Sequence, residues 1–354
     1  LGCFGSKEIL TPQLDRLAKE GMKLTQFYVT WPACTPSRGS LLTGRYPQRN
    51  GIYDMIRNEA PDYGYQYKPG EYEATFERIG GMDTREVLLS AMLKNAGYVS
   101  GIFGKWDLGV HKRFLPLARG FDDFYGFVNT GIDYYTHERY GVPSMYRNNS
   151  PTIADKGTYC TDLFEREAVR FLKANHRKPF FLYLPWSIPH APLQDPASDP
   201  STAFDAGPKS NTPEGREAFV EMVEYLDSRI GKIFRTLKKQ GQLDNTLIIF
   251  TSDNGGMLSG NCWPLKKSKQ HLEEGGIRVP CLIQWPDRIP AGTVGEQSSI
   301  MMDASVTVLE ATRAIQFVPK GRKLDGINLL PFLTNQAEVD PVNRSFGWRR
   351  RDWG

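Results

Sequence analysis

The chain has 354 residues, with 44 lysines and arginines against 40 acidic residues and 40% hydrophobic content. That length and apolar share suit one large α/β domain or two smaller ones and exclude a disordered chain, while a net charge of +4 lacks the dense basic surface of a dedicated nucleic-acid binder. No stretch reaches the ~18 apolar residues that span a bilayer, and the five cysteines (Cys3, Cys34, Cys160, Cys262, Cys281) form no C-x-x-C pair that would indicate a zinc cluster.

In chain order, Thr11-Pro12 before Leu14, Leu17 and Ala18, with Gly21 after, reads as an N-cap, a proline at the first helical position, an apolar face and a stop. Met22 to Thr30 is strand-like, a turn follows at Trp31-Pro32, and Pro36 to Gly44 predicts a helix. The alternation repeats: a helix over 84–96, a strand over 98–103, a helix over 162–175, and a strand at Phe180 to Leu184. A long amphipathic helix over 217–240 then precedes the apolar strand Leu247-Ile248-Ile249-Phe250, a strand over 279–285 and a helix over 303–314. Helices alternating with short strands that are apolar on both sides predict an α/β fold with a mostly parallel central sheet sandwiched by helices. Residues 54–83 and 130–160 read as long loops.

In such sheets ligands bind beyond the carboxyl ends of the strands, so the residues directly after each strand deserve scrutiny. Cys34-Thr35-Pro36-Ser37-Arg38 opens a helix after a strand, where free backbone N–H groups and the helix dipole favour anions and Arg38 adds a guanidinium fork; this reads as a nucleophilic thiolate at an anion site. Asp253-Asn254-Gly255-Gly256 follows the apolar strand and offers hard oxygen donors of the kind Ca²⁺ or Mg²⁺ accepts. Lys105, in Gly104-Lys105-Trp106-Asp107-Leu108-Gly109, could hold an anion's oxygen, and His190 stands between prolines after another strand. Lys266 and Lys267 read as solvated surface charges, and Tyr134, Tyr135 and Tyr140 as aromatics that could line a substrate cleft, although aromatic loop residues more often pack.

The Cys34-to-Arg38 block, continued by Leu41-Leu42-Thr43-Gly44-Arg45, resembles the signature of type I sulfatases, enzymes of the alkaline phosphatase superfold. The resemblance implies that Cys34 is converted to formylglycine by a sulfatase-maturing enzyme and that its hydrate supplies the attacking oxygen. It extends to Thr251-Ser252-Asp253-Asn254-Gly255-Gly256, by which Asp253, Asn254 and the modified Cys34 bind calcium, with magnesium as the alternative. Pro189-His190-Ala191-Pro192 and the stretch from Pro264 to Pro280 complete it, making His190 and Lys269 sulfate-binding residues that assist the leaving oxygen. The family's Gly-Lys-Trp-His block carries Asp107 in place of histidine here; a carboxylate could accept the hydrate proton, yet its charge repels sulfate.

By the same resemblance, residues 1–335 form the catalytic domain without its first strand and its two metal-binding aspartates, and 336–354 begin a small C-terminal subdomain. The expected function is hydrolysis of sulfate esters, of galactosamine-6-sulfate or polysaccharide type, in an exported protein (periplasmic, extracellular or lysosomal) with no nucleic-acid partner and no membrane span. Two other readings are a phosphatase or phosphodiesterase of the same superfold and a catalytically silent glycan-binding relative.

Overall fold

A computed structural model describes residues 1–56, 81–139, 141–198, 208–257, 259–335 and 343–349. Helix α1 (Pro12–Glu20) leads into β1 (Met22–Leu24) and β2 (Phe27–Tyr28). The single strand expected over 22–30 divides at Thr25. There the Arg278 guanidinium donates to the Thr25 carbonyl at 2.9 and 2.6 Å, and the Thr25 N–H donates to the Gly295 carbonyl at 3.1 Å, which turns the chain from one sheet to another.

Helix α2 (Cys34–Thr43) follows, then α3 (Leu89–Asn95), β3 (Val99–Lys105), β4 (Asp123–Phe127), β5 (Met145–Arg147) and β6 (Ser150–Pro151). The second half holds α4 (Cys160–Ala174), β7 (Phe180–Tyr183), α5 (Pro213–Lys239), β8 (Ile248–Thr251), β9 (Cys281–Gln284), β10 (Thr293–Gly295), β11 (Ser299–Ile300) and α6 (Met301–Ala311). Thr212 starts α5 as an N-cap, its hydroxyl accepting from the Gly215 N–H at 3.1 Å.

Helix α3 starts later than the apolar spacing from residue 84 predicts. The Arg119 guanidinium takes the carbonyls of Met82, Asp83 and Glu86, and the Asp83 side chain takes the Arg85 N–H, so this backbone is bonded to tertiary partners rather than to a first helical turn. The loop expected over 130–160 contains β5 and β6. Of the 336–354 segment, the described residues pack on the main body: Trp348 Nε1 donates to the Val29 carbonyl at 2.7 Å, and the Trp348 and Phe346 rings lie 5.7 and 6.0 Å from Tyr28.

The helix-flanked α/β architecture is as expected, with strand directions mixed. One sheet runs β6–β5–β4–β3–β7, with β3 parallel to both β4 and β7. The other runs β8–β9–β1–β10, with β9 antiparallel to its neighbours. Helices α4 and α5 bury Phe164, Phe171, Met222 and Ile230 in the largest core cluster. Strands β7 and β8 each end their sheet, are half-buried along their length, and line a shared cavity of about 2260 Å³ with Ile230 and Phe234.

Helix α6 packs on α2 and is fixed at its start by Asp303, which is fully buried. Asp303 accepts from the Ile300 and Ile327 N–H groups, each at 2.8 Å, and from Arg344 at 2.6 and 3.0 Å. Removing one partner of a buried ion pair strands the other, so Asp303→Ala should lower stability by about 3–5 kcal/mol. A fall in the urea midpoint at unchanged slope would show it; an unchanged midpoint would remove Asp303 as the anchor of α6.

Candidate active site

The site is assembled around the first turn of α2, whose residues Cys34 to Ser40 are all buried. Ser37 ties the preceding turn by donating to the Trp31 carbonyl at 2.7 Å. Cys34, at 2% exposure, presents its sulfur to two partners: Lys269 Nζ donates to Sγ at 3.3 Å, and the thiol donates to Asn254 Oδ1 at 3.5 Å. One turn further, Arg38 places Nε and Nη2 at 2.8 and 2.7 Å from Asp253 Oδ2 and donates through Nη1 to the Lys105 carbonyl at 3.2 Å. Arg38 thereby joins α2 to the ends of β3 and β8.

The remaining groups also follow strand ends. Lys105 closes β3, its N–H donating to the Pro185 carbonyl at 2.8 Å, and its ammonium lies 3.2 Å from Asp107 Oδ2. Thr35 donates to that same oxygen at 2.9 Å. Asp107 is 2% exposed in a left-handed conformation (φ 60°), and its Oδ1 is buried with no hydrogen-bond partner. Burial pushes its carboxyl up, against the pull of Lys105 and Arg38. Burial also opposes ionisation of Asp253, but Arg38, Lys105 and Lys269 outweigh it and hold that carboxyl well below the usual range.

For Lys269, burial opposes the charge while Cys34 and Asp253 overcome it and lift the ammonium above its ordinary value. Its backbone is pinned on both sides of the nucleophile turn, with the Lys269 N–H on the Gly256 carbonyl and the Gln270 N–H on the Pro32 carbonyl, both at 2.8 Å. His190 sets Nδ1 2.7 Å from the Ala191 carbonyl, an acceptor that requires the proton on Nδ1. Burial, then Lys105 and Lys269, lower its pKa to about 3. Its ring packs beside Gly131, where an added Cβ would stand 3.2 Å from His190 Cε1 and 3.2 Å from Arg139 Nη1.

Seven of the residues expected from sequence (Cys34, Arg38, Lys105, Asp107, Asp253, Asn254 and Lys269) thus belong to one connected cluster, and the eighth, His190, lines the same cavity within reach of the charges of Lys105 and Lys269. Sequence reasoning missed Thr35, the partner of Asp107; Tyr183, a half-buried phenol beside Arg38; and Arg139 beside His190. Only Thr35, inside the Cys34 block, carried any signal. The tyrosines are corrected: Tyr134 and Tyr135 are core residues, Tyr134 donating to the His190 carbonyl at 3.0 Å, and Tyr140 lies outside the described residues. His111 is exposed, its ring against Phe114.

Asp253 and Asn254 supply hard oxygens beside Cys34, which suits Ca²⁺ or Mg²⁺. Ca²⁺ takes about 6 to 8 oxygens, and among the described residues no group of three or more His, Cys, Asp or Glu forms a cage. The donors therefore fit one side of a hard-cation shell and not a whole one. A hydroxyl in place of Sγ would fit directly, since it could accept from Lys269 and donate to Asn254.

An α/β fold that gathers a helix N-terminus, three cations and a carboxylate–amide pair around one buried thiol defines a site for an oxyanion facing a side-chain nucleophile. The chain belongs to the sulfatase family, whose Sulfatase profile matches residues 1–314. It is 37% identical over 357 residues to the N-acetylgalactosamine-6-sulfatase of Homo sapiens, covering 96% of this chain and 64% of that protein. The chain thus spans somewhat less than two thirds of that relative's length. Among solved structures, it superposes on Ps i-CgsB in complex with k-i-k-neocarrahexaose with a TM-score of 0.80 and 33% identity, over 93% of this chain and 72% of the other. The phosphonate monoester hydrolase of Agrobacterium radiobacter, at a TM-score of 0.64 and 21% identity over 99% and 76% of the two chains, shares the fold.

With its folded pKa far below the ordinary 6.5, His190 stays neutral down to acid pH, and whatever stability it lends is present above pH 6.5 and lost as pH falls toward 3. Nitrogen NMR on histidine-labelled protein should show its ring neutral and in the Nδ1–H form from pH 8 to 5. A titration midpoint near 6.5 would refute the arrangement.

Proposed function

We propose that the protein hydrolyses sulfate esters of carbohydrates. The observation that carries this reading is the position of Cys34 Sγ, between a protonated Lys269 and the Asn254 amide at a helix N-terminus backed by Arg38. When Cys34 is converted to formylglycine by a maturing enzyme, the hydrated aldehyde supplies the oxygen that attacks sulfur. In the net reaction water and the ester give the free alcohol and sulfate.

The chain's own residues divide the work. Arg38, Lys105 and the α2 N-terminus stabilise charge developing on the sulfate oxygens, usually the largest catalytic contribution. A proton must reach the leaving oxygen. His190, neutral with its hydrogen on Nδ1, has only an acceptor at Nε2, whereas the ammonium of Lys269 is held charged; Lys269 is therefore the acid and His190 an acceptor that orients the bound ester. Asp107, tied to Thr35 and Lys105, keeps one unbonded oxygen that can receive a proton from the nucleophile.

Asp253 and Asn254 are the proposed ligands of Ca²⁺, with Mg²⁺ as the alternative, which would neutralise further sulfate charge. Among the described residues β7 and β8 each have no strand on their outer edge, and the cavity they share leaves room for further oxygen donors to complete the shell. Export or lysosomal residence is proposed from the sulfatase relatives; no described helix is long and apolar enough to cross a membrane. One feature favours a second reading, a silent glycan-binding relative: Asp107 cancels the charge of Lys105 that would otherwise face sulfate.

In the full-length protein, Cys34→Ala should abolish turnover of an aryl sulfate while leaving the thermal midpoint in place, and Arg38→Ala should lower kcat by roughly 10²–10³-fold. Peptide mass analysis should find the Cys34 thiol replaced by an aldehyde. An unmodified Cys34 together with absent turnover would select the silent reading. Chelation should remove activity, and Ca²⁺ should restore it.

A further inference from the structure

His190 takes its direction from the backbone rather than from side-chain partners. Among the described residues its ring makes one hydrogen bond, from Nδ1 to the carbonyl of the next residue, Ala191, at 2.7 Å, and it packs beside Gly131, which has no side chain to hold it. Nε2 therefore points wherever the main chain of residues 190–191 sets it. That main chain belongs to a turn closed by the His190 N–H on the Ser187 carbonyl at 2.9 Å. The Tyr134 phenol bridges the same two residues, donating to the His190 carbonyl at 3.0 Å and bonding the Ser187 hydroxyl.

Tyr134 is itself held closely. It is fully buried, with its ring stacked on Tyr159 at 5.3 Å between centroids. The Tyr134 N–H donates to Gln194 Oε1 at 2.9 Å, Gln194 Nε2 donates to Asp133 Oδ2 at 2.8 Å, and the Tyr159 hydroxyl donates to the Gln194 carbonyl at 2.8 Å. Asp133 and Gln194 are buried as well, so leaving any of these groups unpaired is costly and the set has one arrangement. Residues 133 and 134 thus grip the chain on both sides of His190, at Ser187 and at Gln194. A core tyrosine needs one acceptor for its hydroxyl; here that acceptor is the backbone of an active-site residue.

We propose that Tyr134 is a positioning residue for the reaction: its phenol, tying the Ser187 hydroxyl to the His190 carbonyl, fixes the turn that aims His190 Nε2 at the bound ester. The proposal rests on the sulfate-ester reading of the site and adds a residue that acts through His190 without touching substrate. A misplacement of about 1 Å can cost on the order of 10²-fold in rate, and without the hydroxyl the turn keeps only its main-chain bond.

The test compares the full-length, matured wild type with Tyr134→Phe, Ser187→Ala and Tyr225→Phe. Tyr225 packs against the same core cluster but donates its phenol to Asp162 at 2.7 and 2.9 Å, so its variant reports what a lost phenol bond does to the fold alone. Both phenylalanine variants should lower the urea midpoint. Only Tyr134→Phe should lower kcat/KM on an aryl sulfate, by roughly tenfold or more, with Ser187→Ala lowering it less in the same direction. Nitrogen NMR on histidine-labelled protein should show the His190 ring signals shifted in Tyr134→Phe and in place in Tyr225→Phe. Equal losses of kcat/KM in the two phenylalanine variants, or unshifted His190 signals in Tyr134→Phe, overturn the assignment. If the wild type turns over no sulfate ester, the sulfatase reading fails while the spectra still decide this one: a shift in Tyr134→Phe alone upholds it, and a shift in both or in neither overturns it. Should Tyr134→Phe not fold, the same spectrum is read on Ser187→Ala, where shifted His190 signals uphold the assignment and unshifted ones overturn it.

Discussion

The contact between Arg38 and Asp253 is the constraint on which the site's geometry depends. It joins the nucleophile helix to the end of a strand in the sheet that does not contain β3, across 215 positions of sequence, with both guanidinium bonds made to a single carboxylate oxygen. Such a partly buried pair gains little net stability, because desolvating the charges offsets their attraction, but breaking it leaves the buried Arg38 charge uncompensated. Its value is positional: Arg38 also grips the Lys105 carbonyl, so three elements distant in sequence are held at one spacing.

The electrostatics of the cluster follow from who is paired with whom. Asp253 answers Arg38 and Asp107 answers Lys105, whereas Lys269, which faces the Cys34 sulfur, forms no ion pair with a described residue. At an effective dielectric of 20, one unit charge at 4 Å is worth about 4 kcal/mol, so a carboxylate at position 107 removes a substantial part of the local attraction for an anion. Burial moderates this by favouring the protonated acid, and Thr35 and Lys105 both converge on Oδ2, leaving Oδ1 as the open atom.

Sequence made the chemistry legible but not its wiring. The residue types at Cys34, Arg38, Asp253 and Asn254 could be named because each follows a strand or opens a helix, and the apolar periodicity locating those elements is local; Lys269 could be named only from the resemblance of the stretch from Pro264 to Pro280. The bond from Thr35 to Asp107, the approach of Tyr183 to Arg38 and the burial of Tyr134 depend on how distant segments meet, and period and propensity carry no such information. The two boundary errors have the same origin. At Thr25 and at residues 82–86 an arginine far along the chain takes carbonyls that the local pattern would assign to a strand or a helix, so a tertiary hydrogen bond wins over propensity.

Close backbone approach explains how the segment bearing Lys269 can be both exposed and exact in register. A Cβ on Gly255 would stand 1.8 Å from the Gly275 carbonyl, so only glycine allows the Asp253-Asn254 turn to lie against the Gly275-Gly276 turn, where the Gly255 N–H donates to the Gly276 carbonyl at 3.0 Å. With Lys269 bonded to Gly256 and Gln270 to Pro32, the nucleophile turn, the carboxylate–amide turn and the Lys269 segment form one unit stitched by main-chain bonds. Main-chain bonds do not depend on the side chains they carry. The exposed side chains of Asn261, Trp263, Pro264, Lys266 and Lys267 can therefore change without displacing Lys269 from Cys34.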